Sequence, residues 1–331
     1  MRVRLSIVFL GLSTFLTSPN IALAIDQKDY PALRPFVQRM VNTYGFAEDE
    51  LNQWFQQTEV SQTVISAITA PKEALPWYEY RKLFVTQPSA RRGKQFWQKH
   101  AAALVRAQRK FGVDPATIVA IIGVETQYGR NTGGFRVMDA LTTLTLEYPP
   151  RSDFFRRELQ EYLLLTRELR LNPLALRGSY AGAIGVPQFI PSSYREYAID
   201  FDADQQRDLI NSVADAIGSV ANFLKRHGWQ ENGVVVERLE LDHELLAWLE
   251  KVQSSPMPPL RYLLGYGVLP MEYNDVADSA ALIRFEGEQG PVYYLGHNNF
   301  GVITRYNRSQ NYAMAVHELS EWVRRLYQQA R

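Results

Sequence analysis

The sequence contains no cysteine, although it is 331 residues long. This absence excludes disulfides, thiol catalysis, cysteine-ligated zinc and iron–sulfur clusters, together with a lipid attached through an N-terminal cysteine. Net charge is nearly absent too, because 36 Lys and Arg residues stand against 35 Asp and Glu residues. A near-neutral chain argues against nucleic acid as a partner, since that partner needs a concentrated basic surface. The 46% hydrophobic content argues against disorder and can supply a sizeable core.

Residues 1–24 have the layout of a cleavable secretory signal. Arg2 and Arg4 precede an apolar run over residues 5–16, and Ala22-Leu23-Ala24 supplies a small-residue cleavage pattern. The alternative is a membrane anchor, but the run is too short to span a bilayer comfortably. We therefore expect cleavage after Ala24 and an exported, soluble protein without a membrane anchor.

Apolar spacing predicts that most of the chain is α-helical. Phe36, Met40 and Tyr44 recur at helical steps before Gly45, which predicts a helix that stops at that glycine. Asp114 and the proline after it predict the start of a helix that is apolar nearly all round and therefore buried. We assign residues 25–112 to an N-terminal helical lobe and residues 113–228 to a helical core.

The residue pattern changes after Trp229, where runs of β-branched and aromatic residues are separated by turn-forming residues. Residues 229–300 are predicted to form a small antiparallel β-rich lobe, so the fold class is mainly α with some β. Residues 301–331 are predicted to return to the core as one more strand, Val302 to Tyr306, followed by a C-terminal helix.

Several common catalytic motifs are missing. None of the five histidines stands in an H-E-x-x-H arrangement, and no serine stands in a G-x-S-x-G context. Glycine loops with the spacing of a nucleotide fingerprint are missing as well. The histidines are therefore interpreted as structural, and the search for chemistry turns to carboxylates.

Glu125 lies at the end of the most apolar helix in the sequence. Burial disfavours the charged carboxylate, and the negative end of the helix dipole acts in the same direction, so both raise its expected pKa. A carboxylic acid that stays protonated near neutral pH can act as a general acid. The alternative is a glutamate that points to water or pairs with an arginine.

A second cluster of polar and aromatic residues extends from Gly178 to Tyr194. Its glycines predict a close approach of backbone to a ligand. Ser179 and Gln188 offer neutral hydrogen bonds beside aromatic rings, which suits an uncharged polar ligand such as a sugar. A purely structural loop remains the alternative for this segment.

Taken together, these motifs resemble those of the membrane-bound lytic murein transglycosylase B family. The family consists of peptidoglycan-cleaving enzymes with a lysozyme-like core, and the similarity covers essentially the whole mature chain in order. The resemblance rests on these segments: residues 123–130, 139–141, 178–183, 188–194, 215–222, 304–307 and 312–316.

The resemblance implies that Glu125 is the sole catalytic acid/base. It would cleave the β-1,4 bond between N-acetylmuramic acid and N-acetylglucosamine, with formation of a 1,6-anhydro product and assistance from the substrate N-acetyl group. No cofactor is needed for this chemistry. The residues implied to line the substrate cleft are Ser179, Gln188, Tyr80, Tyr306, Asn307 and Tyr312. Arg151 corresponds to one of two adjacent arginines thought to meet the peptide stem, and Pro150 replaces the other.

The family also carries a calcium loop that resembles an EF-hand. Asp200, Asp202 and Asp204 have the spacing of loop positions one, three and five. Gln205 occupies the position where an EF-hand has glycine, so we expect weak calcium affinity if the ion binds. The implied ligands are Asp200, Asp202, Asp204, the Gln206 carbonyl and Asp215. A solvated acidic turn is the alternative.

We therefore expect a periplasmic lytic transglycosylase that acts on peptidoglycan glycan strands as a monomer. Cell-wall synthesis or division proteins are expected as recruiting partners. The alternative from another functional class is a noncatalytic peptidoglycan-binding scaffold with the same fold. Retention of Glu125, Ser179 and Gln188 argues against that alternative.

Overall fold

The computed structural model describes residues 30–70, 74–240 and 280–329, together with Arg261 and Gly265. The predicted signal segment lies outside these residues, and so does most of the stretch 241–279 in the predicted β-rich lobe. Within the described ranges there are thirteen α-helices and five strands, which confirms the mainly α prediction. No helix in those ranges is long and apolar enough to cross a membrane.

Six helices form the N-terminal part of the structure. The first, α1 (Leu33–Tyr44), buries Phe36 and Met40 and ends as predicted at Gly45, which adopts a left-handed conformation with φ of 67°. Glycine adopts this conformation without steric cost, so it ends helices readily. The other five are α2 (Glu48–Gln56), α3 (Gln62–Thr69), α4 (Trp77–Phe84), α5 (Gln87–Lys99) and α6 (Ala101–Phe111).

The next helix, α7 (Pro115–Thr126), lies at the centre of the core. It starts as predicted, because the Asp114 carboxylate accepts a hydrogen bond from the N–H of Ala116 at 3.0 Å. Eleven of its twelve residues are buried, and the exception is Glu125. Each fully buried Ile or Val contributes about 1.5–3 kcal/mol, so packing on all sides fixes this helix in place.

The rest of the core surrounds α7. Two short strands, β1 (Phe135–Arg136) and β2 (Arg177–Gly178), pair antiparallel at the edge of the site described below. The last core helix, α11 (Val213–Arg226), begins with a cap in which Ser212 Oγ accepts a hydrogen bond from the N–H of Asp215 at 3.1 Å. The core helices are α8 (Val137–Glu147), α9 (Ser152–Glu168), α10 (Pro191–Tyr197) and α11 (Val213–Arg226).

A three-stranded antiparallel sheet follows, with strand order β3-β5-β4. Strands β4 (Ala281–Gly287) and β5 (Gly290–Gly296) form a hairpin at the predicted turn, with Gly287 paired to Gly290. The valine run at residues 234–236 is mostly outside the sheet, because β3 (Val236–Leu239) includes only the last of these valines. Among the described residues, the β-rich lobe is thus a small sheet beside a helical core.

The predicted strand from Val302 to Tyr306 is wrong. These residues belong to α12 (Asn298–Tyr306), which buries Asn299, Phe300, Val302 and Ile303. The β-branched run favours a strand locally, but tertiary packing overrides such propensities. The Asn299 side chain fixes the start of the helix, since it accepts from the N–H of Gln230 and donates to that residue's carbonyl.

The chain ends in α13 (Gln310–Gln328), the predicted C-terminal helix. It packs along α7 and α5, and Tyr312, Ala315, Val316 and Leu319 are buried on its inner face. Arg324 forms an ion pair with Asp114, which ties α13 to the start of α7. Both ends of α7 are therefore held by groups from distant parts of the sequence.

Candidate active site

A cavity of about 510 Å³ opens at the C-terminal end of α7. Glu125, Ser179 and Gln188 all line it, so the structure brings these three predicted residues together. The other described residues of the wall come from the end of α4, the start of α5, the end of α7, the segment from there to β1, and the loop after β2. They are Leu83, Phe84, Thr86, Ser89, Arg92, Gly123, Val124, Gln127, Asn131, Gly133, Gly134, Phe135 and Tyr180.

Glu125 is half-buried and accepts a hydrogen bond from the Tyr312 hydroxyl, with 2.6 Å between Oη and Oε1. Tyr312 is only 2% exposed. Burial, together with the negative charge of Glu125, raises the pKa of Tyr312 well above its ordinary value. The phenol therefore remains a hydrogen-bond donor, and it holds one carboxylate oxygen while the rest of the carboxyl group faces the cavity.

Tyr306 and Asn307 lie behind this pair. The Tyr306 ring stacks on Tyr312 with 6.4 Å between ring centroids, and its hydroxyl donates to the Pro187 carbonyl at 2.6 Å. Burial raises the pKa of Tyr306 well above its ordinary value. Asn307 ends α12 directly after Tyr306. Tyr306 therefore supports the wall beside Gln188, and Asn307 is the residue that follows it at the end of the helix.

Tyr80 is fully buried on α4 and packs against Phe84, with 5.0 Å between ring centroids. Phe84 itself lines the cavity. Tyr80 therefore lies behind the described wall and packs against a residue that lines the cavity.

The turn after Glu125 is strained. Gln127 and Tyr128 both have positive φ angles, 51° and 67°, which non-glycine residues adopt at a cost of about 1–3 kcal/mol. The Tyr128 ring fills the space between two glycines on different helices. A Cβ at Gly93 or at Gly123 would approach the Tyr128 hydroxyl to 2.6 Å. That hydroxyl donates to the Ser89 carbonyl at 2.9 Å, so α5 determines the path of the turn.

The loop after β2 is tied to α7 through Thr126, whose hydroxyl donates to the Val186 carbonyl at 2.9 Å. In this loop, Ser179 Oγ accepts from the N–H groups of Ala181 and Ala183 at 3.3 and 3.0 Å. Its own proton remains available for a ligand. Gln188 has a positive φ of 52° and donates to the carbonyls of Thr132 and Gly185. Its amide oxygen is therefore the group that can accept from a ligand.

The expectation that glycines in this loop admit a ligand is wrong. A Cβ at Gly178 would approach the Ala183 carbonyl oxygen to 2.1 Å, and one at Gly185 would approach the Leu209 carbonyl oxygen to 2.3 Å. A Cβ at Gly182 would collide with Leu141 at 2.4 Å. These glycines allow the loop to pack on itself and on the core, and that packing fixes Ser179 and Gln188.

The arginine implied by the resemblance lies outside the described cavity wall, and a different arginine lies within it. Arg151 is exposed in a short helical turn and lies over the Phe154 ring at 4.3 Å, outside the described cavity wall. Arg92, which sequence reasoning missed, lines the cavity one turn after Ser89 on α5. Its local sequence gives no sign of this position, because only the packing of α5 against α7 places it in the cavity that Glu125 also lines.

The acidic loop brings Asp200, Asp202 and Asp204 together, with one carboxylate oxygen from each lying within 4.8 Å of the others. Asp200 also accepts three backbone hydrogen bonds, from Ala203, Asp204 and Gln205. Gln205 adopts φ of 72°, the conformation that glycine supplies in an EF-hand loop. Clustered carboxylate oxygens suit a hard cation such as calcium.

Asp215 does not join this cluster. It is buried at the start of α11, where its carboxylate accepts from the N–H groups of Phe201 at 2.6 Å and Asp208 at 2.9 Å. Burial raises its pKa, and these hydrogen bonds oppose the shift. Gln206 is exposed, and its N–H donates to Asp204. Asp215 thus organises the backbone of the loop, while the three other acids face each other.

Comparison with known proteins gives a family match over residues 28–321, described as the transglycosylase SLT domain. One curated relative is the membrane-bound lytic murein transglycosylase B of Escherichia coli strain K12. It is 38% identical over 308 residues, which cover 90% of this chain and 84% of the relative.

Solved structures agree with this match. The soluble lytic transglycosylase SltB1 from Pseudomonas aeruginosa is 45% identical, with a TM-score of 0.79 over 89% of this chain and 99% of that one. The Escherichia coli lytic transglycosylase Slt35, solved in complex with calcium, is 36% identical, with a TM-score of 0.82 over 93% and 97%. SltB3 from Pseudomonas aeruginosa, solved with NAG-anhNAM-pentapeptide, is 27% identical, with a TM-score of 0.73 over 89% and 79%. These likenesses extend over nearly all of the described fold.

Proposed function

We propose a mechanism from one premise: the chain belongs to the transglycosylase SLT domain family. It is a peptidoglycan-cleaving lytic transglycosylase with a lysozyme-like fold. The proposal concerns which residues carry the reaction and how. The observation that carries it is the hydrogen bond from Tyr312 to Glu125 at the mouth of the cavity.

Glu125 is proposed to act alone as acid and then as base. Among the described residues that line the cavity, it is the only acid, whereas ordinary glycosidases place two carboxylates there. Its proton goes to the glycosidic oxygen as the bond from that oxygen to C1 of the muramoyl sugar breaks. The substrate N-acetyl group stabilises the cationic C1.

In the second step, the Glu125 carboxylate takes the proton of the muramoyl C6 hydroxyl. The C6 oxygen then bonds to C1, which gives the 1,6-anhydro ring and returns Glu125 to its protonated form. Water is neither consumed nor released. Tyr312 holds the carboxylate oxygen in place through both steps, since its hydroxyl stays protonated.

Ser179 and Gln188 are proposed to bind the sugars near the scissile bond. The Ser179 hydroxyl proton and the Gln188 amide oxygen remain after their backbone hydrogen bonds are made. Neutral donors and acceptors of this kind suit hydroxyl and N-acetyl groups. Tyr306, Asn307 and Tyr80 support these groups from behind the wall.

Product analysis tests the reaction. We expect mass spectrometry of peptidoglycan digested in ¹⁸O-labelled water to show 1,6-anhydromuramoyl ends without label. Labelled reducing ends, heavier by one water, would mean hydrolysis and would overturn the mechanism.

Glu125→Gln tests the role of the carboxyl group and separates an enzyme from a noncatalytic scaffold. We expect a folded protein that binds glycan and produces no anhydro ends. Glu147→Gln is the matched control, because Glu147 is an exposed glutamate at the end of α8 and outside the described cavity wall. Full activity of Glu125→Gln would contradict the assignment.

Calcium is proposed to bind the acidic loop through Asp200, Asp202 and Asp204, where it would stabilise the fold and take no part in the reaction. The predicted ligands Asp215 and Gln206 are left out, since Asp215 already holds the loop backbone. An ion that binds only the folded state raises the midpoint of thermal unfolding. We expect calcium to raise it in the wild type and not in Asp202→Ala. An unchanged midpoint in the wild type at millimolar calcium would exclude the site.

Residues 1–24 are proposed to direct export to the periplasm, on the strength of their charged, apolar and small-residue layout. We expect N-terminal sequencing of the periplasmic protein to begin at Ile25. An uncleaved N-terminus in the membrane fraction would contradict this. Monomeric action and recruitment by cell-wall synthesis or division proteins stay predictions.

A further inference from the structure

The wall of the cavity around Glu125 contains one positively charged side chain, Arg92, which has no role in the proposed mechanism. Among the described residues of its wall, only Glu125 and Arg92 are charged. Arg92 projects from α5, one helical turn after Ser89, and is half-buried. Because the proposed mechanism starts from protonated Glu125, Arg92 gives this described wall a net positive charge when substrate binds.

The Arg92 guanidinium has little to bind within the protein. Its Nε is buried and has no hydrogen-bond partner in the described part of the chain. One Nη donates to Ser89 Oγ at a long 3.4 Å, and no carboxylate among the described residues pairs with it. Other arginines at comparable depth, such as Arg195 and Arg324, each contact two glutamate or aspartate side chains. The buried Nε cannot reach a ligand, but the Nη groups have no other partner among the described residues and can donate to one.

The position of Arg92 is fixed by its surroundings. The Tyr128 ring lies against the next residue on α5, Gly93, and its hydroxyl bonds to the Ser89 carbonyl. Burial raises the pKa of Tyr128, and the nearby positive charge of Arg92 opposes that shift. The same contacts that hold the turn after Glu125 thus hold the helix that presents Arg92.

A planar guanidinium with free donors matches a carboxylate in two-point geometry. With Glu125 protonated at the start of the reaction, Arg92 offers an anionic substituent of the substrate a partner of opposite charge. Muramic acid carries a lactyl carboxyl group, which is either free or joined to a stem peptide that has carboxylates of its own.

We propose that Arg92 binds a carboxylate of the muramoyl side chain and so selects muramoyl-containing strands over neutral N-acetylglucosamine polymers. This inference rests on the proposed function. It assigns recognition of the acidic substituent to α5, because Arg151, the arginine implied by the family resemblance, lies outside the described wall.

The test is the kinetics of Arg92→Gln on two substrates: glycan strands that carry stem peptides, and strands stripped of peptides by an amidase. We expect kcat/KM to fall about 10- to 100-fold, the size of one charge-assisted interaction, with most of the change in KM. A loss on stripped strands alone identifies the lactyl carboxylate, and a loss on peptide-bearing strands alone identifies a stem carboxylate. A loss on both means that either carboxylate is accepted.

Neutral oligomers of N-acetylglucosamine, used as competitive inhibitors, separate charge recognition from damage to the cleft. We expect their Ki to be the same for Arg92→Gln and the wild type. Arg91→Gln is the matched control, because Arg91 is the exposed neighbour on α5 and loses the same charge. Arg92→Lys should recover part of the affinity.

Unchanged kcat/KM of Arg92→Gln on both substrates would overturn the proposal, and so would a parallel loss of affinity for the neutral oligomers. The proposed function fails separately, if the wild type forms no anhydro ends. Cleavage by the wild type with no effect of Arg92→Gln would refute only the role of Arg92.

Discussion

Replacement of Tyr312 by Phe removes one hydroxyl group and leaves the ring in place. Tyr312 is 2% exposed, and its hydroxyl donates to Glu125 Oε1 at 2.6 Å. The ring also stacks on Tyr306, and that contact is kept in Tyr312→Phe. The substitution therefore tests the hydrogen bond to Glu125 with little change in packing.

The expected loss follows from the strength of that hydrogen bond. A hydrogen bond to a charged group contributes about 1.5–3 kcal/mol. Since each 1.4 kcal/mol changes a rate tenfold, loss of orientation of Glu125 should lower kcat by about 10- to 100-fold. The free energy of unfolding should change by about 1 kcal/mol or less, because water can replace the donor at the half-buried carboxylate.

The loss should appear mainly in kcat. The hydrogen bond orients the carboxyl group that transfers the proton, whereas Tyr312 itself lies outside the described cavity wall. KM should therefore change little in Tyr312→Phe.

The assay measures release of anhydromuramoyl products over a range of substrate concentrations, with chemical denaturation of each variant. Tyr162→Phe is the matched control, since this buried tyrosine on α9 donates to the Pro173 carbonyl and lies outside the described cavity wall. It should lose stability and keep its kcat. If Tyr312→Phe kept kcat within twofold of the wild type, the hydroxyl would have no part in positioning Glu125.

Two further predictions concern stability. Gly133→Ala should lower the free energy of unfolding by about 2–4 kcal/mol in chemical denaturation, because φ is 94° and the added Cβ would lie 2.0 Å from the Gly178 carbonyl oxygen. Gly134→Ala, which meets nothing within 4 Å, should stay within about 1 kcal/mol of the wild type, and equal losses would refute the steric argument. Burial lowers the pKa of His317 below its ordinary value of 6.5, so its contribution to stability is complete above that pH and is lost as pH falls through it. The urea midpoint of His317→Gln should therefore fall less than that of the wild type between about pH 7.5 and pH 5.5, and parallel curves would contradict this.

Local signals were enough to predict the catalytic helix. Asp114 and the proline after it mark its start, and continuous apolar residues predict its burial, so Glu125 stands out as its one charged residue. The hydrogen bond from Tyr312 to Glu125 joins residues 187 positions apart and was not predicted, since the family resemblance implied only that Tyr312 lines the cleft. Contacts at such separation depend on how helices pack, which no local pattern specifies.

The errors have the same physical origin. The β-branched run at Val302 is a strand by local propensity, but burial of Phe300 and the bonds of Asn299 make it a helix. The glycines at 178, 182 and 185 leave room for neighbouring protein atoms, whereas the sequence suggested that they leave room for a ligand. Arg92 could not be predicted, because its place in the cavity wall depends on the packing of α5 against α7.

The Tyr128 ring, seated between Gly93 and Gly123, acts as a spacer that sets the separation of α5 from α7. A fragment that starts at residue 113 would keep Glu125 and lose Gly93, one of the two surfaces that enclose this ring. A transplanted unit that is meant to preserve the turn after Glu125 therefore needs residues 87–99, well before the first residue of α7.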